Sequence, residues 1–140
     1  MSEKRIAIAF GFGKQSYMML KKLLKKKPII VTVIGEEDDL YSGTVKLFAK
    51  ALGLKCIILK QKKSFHEVYE GTQCDLNYYY YNNILVWAVK QHLCPFDVLY
   101  IGRQRSDLIK RGYFTEENCP KIPPEVYGDI KLEFPLWNIK

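Results

Sequence analysis

Four short apolar runs, each separated from the next by enough chain for a helix, constrain this sequence more than any other feature. They are Ile6-Ala7-Ile8-Ala9-Phe10, Ile29-Ile30-Val31-Thr32-Val33-Ile34, Leu54 to Leu59, and Val98-Leu99-Tyr100-Ile101. Short, apolar and rich in β-branched residues, they read as strands buried on both faces. Between the first two, Ser16 to Lys27 reads as a helix. Tyr17, Leu20, Leu23 and Leu24 form its stripe, lysines suit its C-terminus, and Pro28 ends it. A second helix is expected from about Ser42 to Leu52, with Val45, Phe48, Ala49 and Leu52 on one face and Gly53 as C-cap. A third is expected from about Asn77 to Leu93, with Tyr81, Ile84, Leu85, Ala88 and His92 along one face and Trp87 beside it. Lys60 to Leu76 has mixed periodicity. Arg103 to Pro124 is loop-like with one short helix, and Ile130 to Phe134 alternates like a strand nearer an edge.

Helical crossovers between apolar strands require a parallel sheet covered on both faces. The expected class is therefore α/β: a three-layer sandwich with a mostly parallel sheet of four or five strands, Rossmann-like. Residues 1–140 are read as one domain, because a chain this size supports one good core. No apolar run approaches the length that spans a bilayer, and the N-terminal stretch does not read as a signal peptide. Cys56, Cys74, Cys94 and Cys119 have long, uneven gaps without Cys-x-x-Cys, which gives neither a zinc ribbon nor a disulfide framework. The expected location is the cytoplasm, with no membrane partner. Lys plus Arg number 22 against 15 Asp plus Glu, a formal charge of +7 that favours anionic partners. Much of the lysine lies in Lys21-Lys22, Lys25-Lys26-Lys27, and Lys60 with Lys62-Lys63, as either a solvated face or a nucleic-acid surface.

In doubly wound sheets, ligands bind at the carboxyl ends of strands, near the point where strand order reverses. That rule selects Gly11 to Ser16, Gly35 to Asp39, and Gly102 to Asp107. Gly11-Phe12-Gly13-Lys14-Gln15-Ser16 joins a buried strand to a helix N-terminus, where unpaired N–H groups and the helix dipole favour phosphate. Lys14 supplies a point charge, and Ser16 a hydroxyl donor or N-cap. Neither the Walker A spacing nor Gly-x-Gly-x-x-Gly is present, since Ser16 stands at the third glycine position. A plain strand-to-helix turn capped by Ser16 is the other reading.

The stretch Ala9 to Ser16 resembles the signature loop of the PP-loop ATP pyrophosphatases, in the adenine nucleotide alpha-hydrolase-like superfamily, which reads Ser-Gly-Gly-x-Asp-Ser after the first strand. Gly13, Lys14 and Ser16 fall on matching positions. Gly11 replaces the serine, Phe12 a glycine, and Gln15 the aspartate that helps arrange magnesium. Tyr81 to Ala88 looks like the Arg-Asn-led helix of the 7-cyano-7-deazaguanine synthase branch, with Asn83 matching and Asn82 replacing the arginine. Ile101-Gly102-Arg103-Gln104-Arg105-Ser106-Asp107 resembles that branch's Gly-x-Asn-x-x-Asp: Gly102 and Asp107 match, and Gln104 stands at the asparagine. Gly112-Tyr113 and Phe134-Pro135-Leu136 are similar to later family segments. The branch's four zinc cysteines have only Cys119 as a counterpart in that region. Arg105, Arg111 and Pro135-Leu136-Trp137 loosely resemble the phosphoadenylylsulfate reductase-like branch, without its reductive cysteine. The superfamily resemblance implies a HUP-type fold, ATP with magnesium as cofactors, and adenylation of a small molecule or nucleic-acid substrate with release of pyrophosphate. Gly11, Gly13, Lys14, Gln15, Ser16, Gly102, Arg103 and Arg105 would then contact the nucleotide, and Asp107 the metal.

Arg103, Arg105, Lys110 and Arg111 either hold phosphate or a second anionic substrate, or pair with Asp107, Glu116 and Glu117. Glu36, Glu37, Asp38 and Asp39 read as a solvated loop or as magnesium neighbours. His66 and His92 lack a nucleophile or carboxylate at motif spacing, and no catalytic residue is assigned. Tyr78 to Tyr81 suit a helix start, a homo-oligomer contact or a ligand wall. Three functions follow: ATP binding by a minimal PP-loop-type domain with or without adenylation, a non-catalytic phosphate or nucleotide sensor, and a basic nucleic-acid- or protein-binding module on the same fold.

Overall fold

β-Branched and alanine-rich segments form the centre of the protein, which is described here by a computed structural model. The structure describes residues 4–11, 14–35, 39–61, 84–91, 94–110, 112, 114–123 and 125–139. Strand β1 (Ile6–Ala9) leads to helix α1 (Lys14–Leu23), which tightens into a 3₁₀ turn (Leu24–Lys26) before β2 (Ile29–Gly35). Helix α2 (Asp39–Leu52) and β3 (Cys56–Gln61) follow. Residues 84–89 form helix α3. Then come β4 (Val98–Tyr100), α4 (Arg105–Lys110), β5 (Val126–Tyr127) and β6 (Ile130–Glu133).

The sheet has six strands in the order β3-β2-β1-β4-β6-β5. All neighbours are parallel except β5 and β6. This is a mixed α/β fold of general Rossmann-like arrangement, with one strand more than expected. The extra strand is β5, joined to β6 by Gly128-Asp129, with Gly128 at φ 59°. A two-residue Gly-Asp connection between Val-Tyr and an alternating run is itself a hairpin signal in the sequence. The alternating segment at Ile130 lies next to this short edge strand, and Ile130 and Leu132 are buried while Lys131 is exposed.

Alternation along the strands divides the core. Ala7, Ala9, Val31, Val33 and Leu99 pack with Ile84, Leu85, Ala88 and Leu108 from the helices on one face. Ile8, Phe10 and Ile30 pack with Met19, Leu20, Leu23 and Ala49 on the other. The expected stripe of α1 is corrected here: the helix buries Ser16, Met19, Leu20 and Leu23, while Tyr17 and Leu24 are exposed. The cause is the packing partner: Met19 fills the contact with Ile8 and Phe10 of the sheet. Likewise Leu52 is exposed, while Ser42, Val45 and Ala49 are buried.

Gly53 caps α2 as expected, at φ 69°. Its N–H donates to the Lys50 carbonyl, and Leu54 N–H donates to Ala49. These are the two bonds of a Schellman ending, and Leu54 and Ala49 join the same apolar cluster. No helix among the described residues is long and apolar enough to cross a membrane. Cys56, Cys94 and Cys119 are free thiols.

At the amino ends of the strands, Asp97 ties the start of β4 to the residue before β1. Its carboxylate accepts the Arg5 backbone N–H at 2.8 Å and the Arg5 guanidinium at 3.2 Å and 3.4 Å. These hydrogen bonds, the side-chain one foremost, hold the Asp97 carboxyl below its ordinary range. A carboxylate whose folded pKa is depressed stabilises the fold above its unfolded value, near pH 4, and that contribution is lost as pH falls through the folded value. Exposure to solvent keeps the effect modest. Melting of the protein and of Asp97→Asn across acid pH should show a stability gap at neutral pH that narrows progressively below about pH 4. A gap that does not change with pH would exclude the ion pair as its source.

Candidate functional site

Strand order reverses between β1 and β4, which are adjacent in the sheet although β2, β3 and helices α1, α2 and α3 lie between them along the chain. Their carboxyl ends deliver Gly11 and Gly102 to the same crevice. Two of the three segments selected from the sequence therefore meet at the topological switch point.

Phe10 sets the entrance to the crevice. Its N–H donates to Val31 at 2.9 Å, and its carbonyl accepts the hydroxyl of fully buried Thr32 at 2.7 Å. Its ring stacks on Phe48 of α2, with centroids 5.4 Å apart, and meets Tyr17 of α1 edge-on at 5.2 Å. The sheet, both helices and the start of the loop are thus joined at one side chain.

Ser16 is not an N-cap, because α1 begins at Lys14. From the first turn of the helix, its Oγ accepts the Gly11 N–H at 3.0 Å and closes the loop on itself. The geometry is that of a third-position side chain reaching back over a helix start. Lys14 is exposed. Phe12 and Gly13 lie outside the described residues.

Gln15 faces Gly102. A Cβ built on Gly102 would stand 3.1 Å from Gln15 Cβ and 3.0 Å from Met19 Cε, so only a glycine lets β4 approach α1 this closely. Gln15 Nε2 donates to Gln104 Oε1 at 3.2 Å, linking residues 89 positions apart across the reversal. Gln104 in turn reaches the Ile139 carbonyl at 3.5 Å. Ser106 Oγ also donates to Ile139 O, and the Arg105 N–H to Trp137 O. The segment after β6 therefore folds over the start of α4.

The arginines separate. Arg103 is buried, at 8% exposure, immediately after Gly102. Arg105 was expected to face a nucleotide, but its guanidinium is engaged by the loop that follows α4. It donates to the carbonyls of Glu116, Cys119 and Pro120 at 2.9–3.2 Å and pairs with the Glu116 carboxylate at 3.2 Å. Backbone carbonyls left unpaired by an irregular loop explain the use of an arginine there. Arg111 lies outside the described residues.

Asp107 stands partly buried in the first turn of α4. Among the described residues no group of three His, Cys, Asp or Glu side chains lies together as a metal site. The acidic residues 36–38, His66, His92, Cys74 and Tyr78 to Tyr81, with the oligomer contact read from them, all fall outside the described residues. A cavity of about 430 Å³ lies beside the contact of α4 with the terminal segment, lined by Ile109, Glu116 and Trp137 among others. The role of residues 134–139 against α4 is not evident from their local sequence. The available signal is the aromatic pair Phe134 and Trp137, whose rings meet edge-on at 5.7 Å.

No family model matches the chain, and no curated protein matches it significantly. The chain is similar in fold to a crystal structure described as that of a predicted subunit of tRNA methyltransferase from Methanocaldococcus jannaschii. The TM-score is 0.57 at 17% identity, and the match covers 99% of this chain and 70% of that one. At that identity the likeness concerns the fold alone.

Proposed function

We propose that this chain is a minimal PP-loop-type domain, a three-layer sandwich of the HUP kind, that binds an adenine nucleotide at the β1/β4 crevice. The observation that carries the reading is the convergence of Gly11, Ser16, Gln15 and Gly102 at the switch point, beside the helix start that bears Lys14. Backbone N–H groups at the start of α1 would take phosphate oxygens, with Lys14 as a mobile charge and buried Arg103 adding positive potential behind Gly102.

Binding without adenylation fits the residues best. Gln15, at the position of the PP-loop aspartate, carries no charge and is hydrogen-bonded to Gln104, which stands at the position of the synthase branch's asparagine. A pair of amides thus replaces the charged arrangement that the resemblance would assign to metal-assisted chemistry. Asp107 is the carboxylate that magnesium arriving with a nucleotide would meet in this region, and Arg105 has no part in the reading. A non-catalytic adenine-nucleotide sensor is the resulting function.

Titration calorimetry of the purified protein with ATP, ADP and AMP, with and without magnesium, tests it. Saturable ATP binding should weaken about tenfold to a hundredfold in Lys14→Ala, the effect of losing one charge-assisted phosphate contact. No pyrophosphate should form. Absence of binding at millimolar ATP by folded protein would refute the proposal, and pyrophosphate release would convert the sensor into an enzyme.

A further inference from the structure

At the opposite pole from the switch crevice, five lysines converge on one groove. Lys25, Lys26 and Lys27 come from the end of the first crossover, Lys4 precedes β1, and Lys131 lies on β6. The groove has a volume of about 850 Å³, within the range of ligand-binding clefts. Its apolar floor is formed by Ile6, Val98 and Tyr100 of the sheet. Lys131 pairs with Val98 in register, and Glu133 with Tyr100, so these four residues share one face. Glu133 is the one carboxylate in the lining and forms a 3.0 Å ion pair with Lys131. The local excess is four positive charges.

Lysines at a helix end complement its dipole, but that role accounts for neither Lys4, which precedes β1, nor Lys131, which lies on β6. Lys27 adds an independent sign. It is the one described non-glycine residue with positive φ, at φ 50° and ψ 60°, the left-handed C-cap of the turn. Glycine is the residue that this conformation favours, and a lysine held there costs stability. A side chain with work outside the fold gives a reason for its presence.

We propose that this groove binds single-stranded nucleic acid, with the lysines along the phosphodiester backbone and Tyr100 offering a stacking surface to a base. Single strands fit better than duplex because the charges surround a concave floor with an aromatic residue on it, the arrangement that tracks a backbone while accepting any base. Lysine, a rotatable point charge, suits phosphates without fixing a sequence. The site is independent of the nucleotide crevice and stands whether or not ATP binds there.

The test is fluorescence anisotropy with short labelled RNA and DNA oligonucleotides of matched mixed sequence, titrated at several salt concentrations. Each neutralised phosphate contributes about −0.7 to the slope of log K against log salt, so about four net contacts predict a slope near −3. Lys27→Gly should reduce the slope by about 0.7 and weaken binding, while its melting temperature stays level or rises. Glu133→Gln should tighten binding and steepen the slope, a gain that misfolding cannot produce. Tighter binding of RNA than DNA would assign the strand as RNA, and equal binding would assign the backbone alone; either supports the site. The proposal is overturned if no oligonucleotide binds at low salt. It is overturned equally if neither variant changes affinity, or if duplex or anionic phosphatidylserine vesicles bind more tightly than the single strands.

Discussion

Phe10→Ala should lose about 3–5 kcal/mol of folding stability, the range for removing a buried phenylalanine and leaving a cavity. Phe10 is fully buried between Ile8 and the loop, and its ring contacts Phe48 and Tyr17 on two different helices. Truncation removes the stacked pair as well as the transfer term, so the cost should lie toward the upper part of that range. Domains of this size are stable by roughly 5–15 kcal/mol, and the variant should therefore sit close to the edge of folding. Urea unfolding followed by circular dichroism gives the number, and Phe10→Leu, which keeps most of the volume, should recover the larger part. A cost below about 1 kcal/mol for the alanine variant would mean that α1 and α2 close over the gap. Phe10 would then not be the joint between sheet and crevice.

Gly102→Ala should destabilise by about 1–3 kcal/mol, the penalty of forcing one methyl into a packed contact. The new Cβ would meet Gln15 Cβ at 3.1 Å and the Gln15 carbonyl carbon at 3.4 Å. Met19 Cε, at 3.0 Å, can rotate away, but the base of Gln15 moves only with the start of α1. The Gln15–Gln104 hydrogen bond should lengthen or break, and any affinity for ATP should fall with it. Gly43→Ala supplies the control. Gly43 lies exposed within α2 with nothing within 4 Å of a built Cβ. There the same chemical change should stabilise by about 0.5–1 kcal/mol, through the unfolded chain and helix propensity. Opposite signs from one substitution type would locate the close approach of β4 and α1; equal signs would remove it.

Much of the crevice was legible before folding was considered. Gly11, Ser16 and Gly102 follow apolar runs, and the rule for parallel sheets places such residues at carboxyl ends near a reversal. What was not legible is their chemistry. Gln15 and Gln104 each look like an unexplained departure from a family pattern, and they become a pair only because the sheet brings together residues 89 positions apart. Nothing local in the sequence distinguishes Arg105 from Arg103. The loop that claims its guanidinium lies 11–15 residues downstream, and no local pattern announces which carbonyls an irregular segment will leave to be satisfied.

The same division holds across the fold. Runs of β-branched residues, glycine at Gly53 and proline at Pro28 determine strands, a helix ending and a crossover, because these preferences arise from the backbone of each residue and its near neighbours. The composition determines a basic surface. Tertiary structure alone decided that α1 buries Met19 rather than Tyr17, since a helical face is chosen by what it packs against. It placed the Val126–Tyr127 hairpin, which Gly128-Asp129 already signals in the sequence, at the edge of the sheet beyond β6. It also gathered Lys4, Lys25, Lys26, Lys27 and Lys131 around one groove. Charges scattered along a chain acquire a common site only when strand order places their ends side by side.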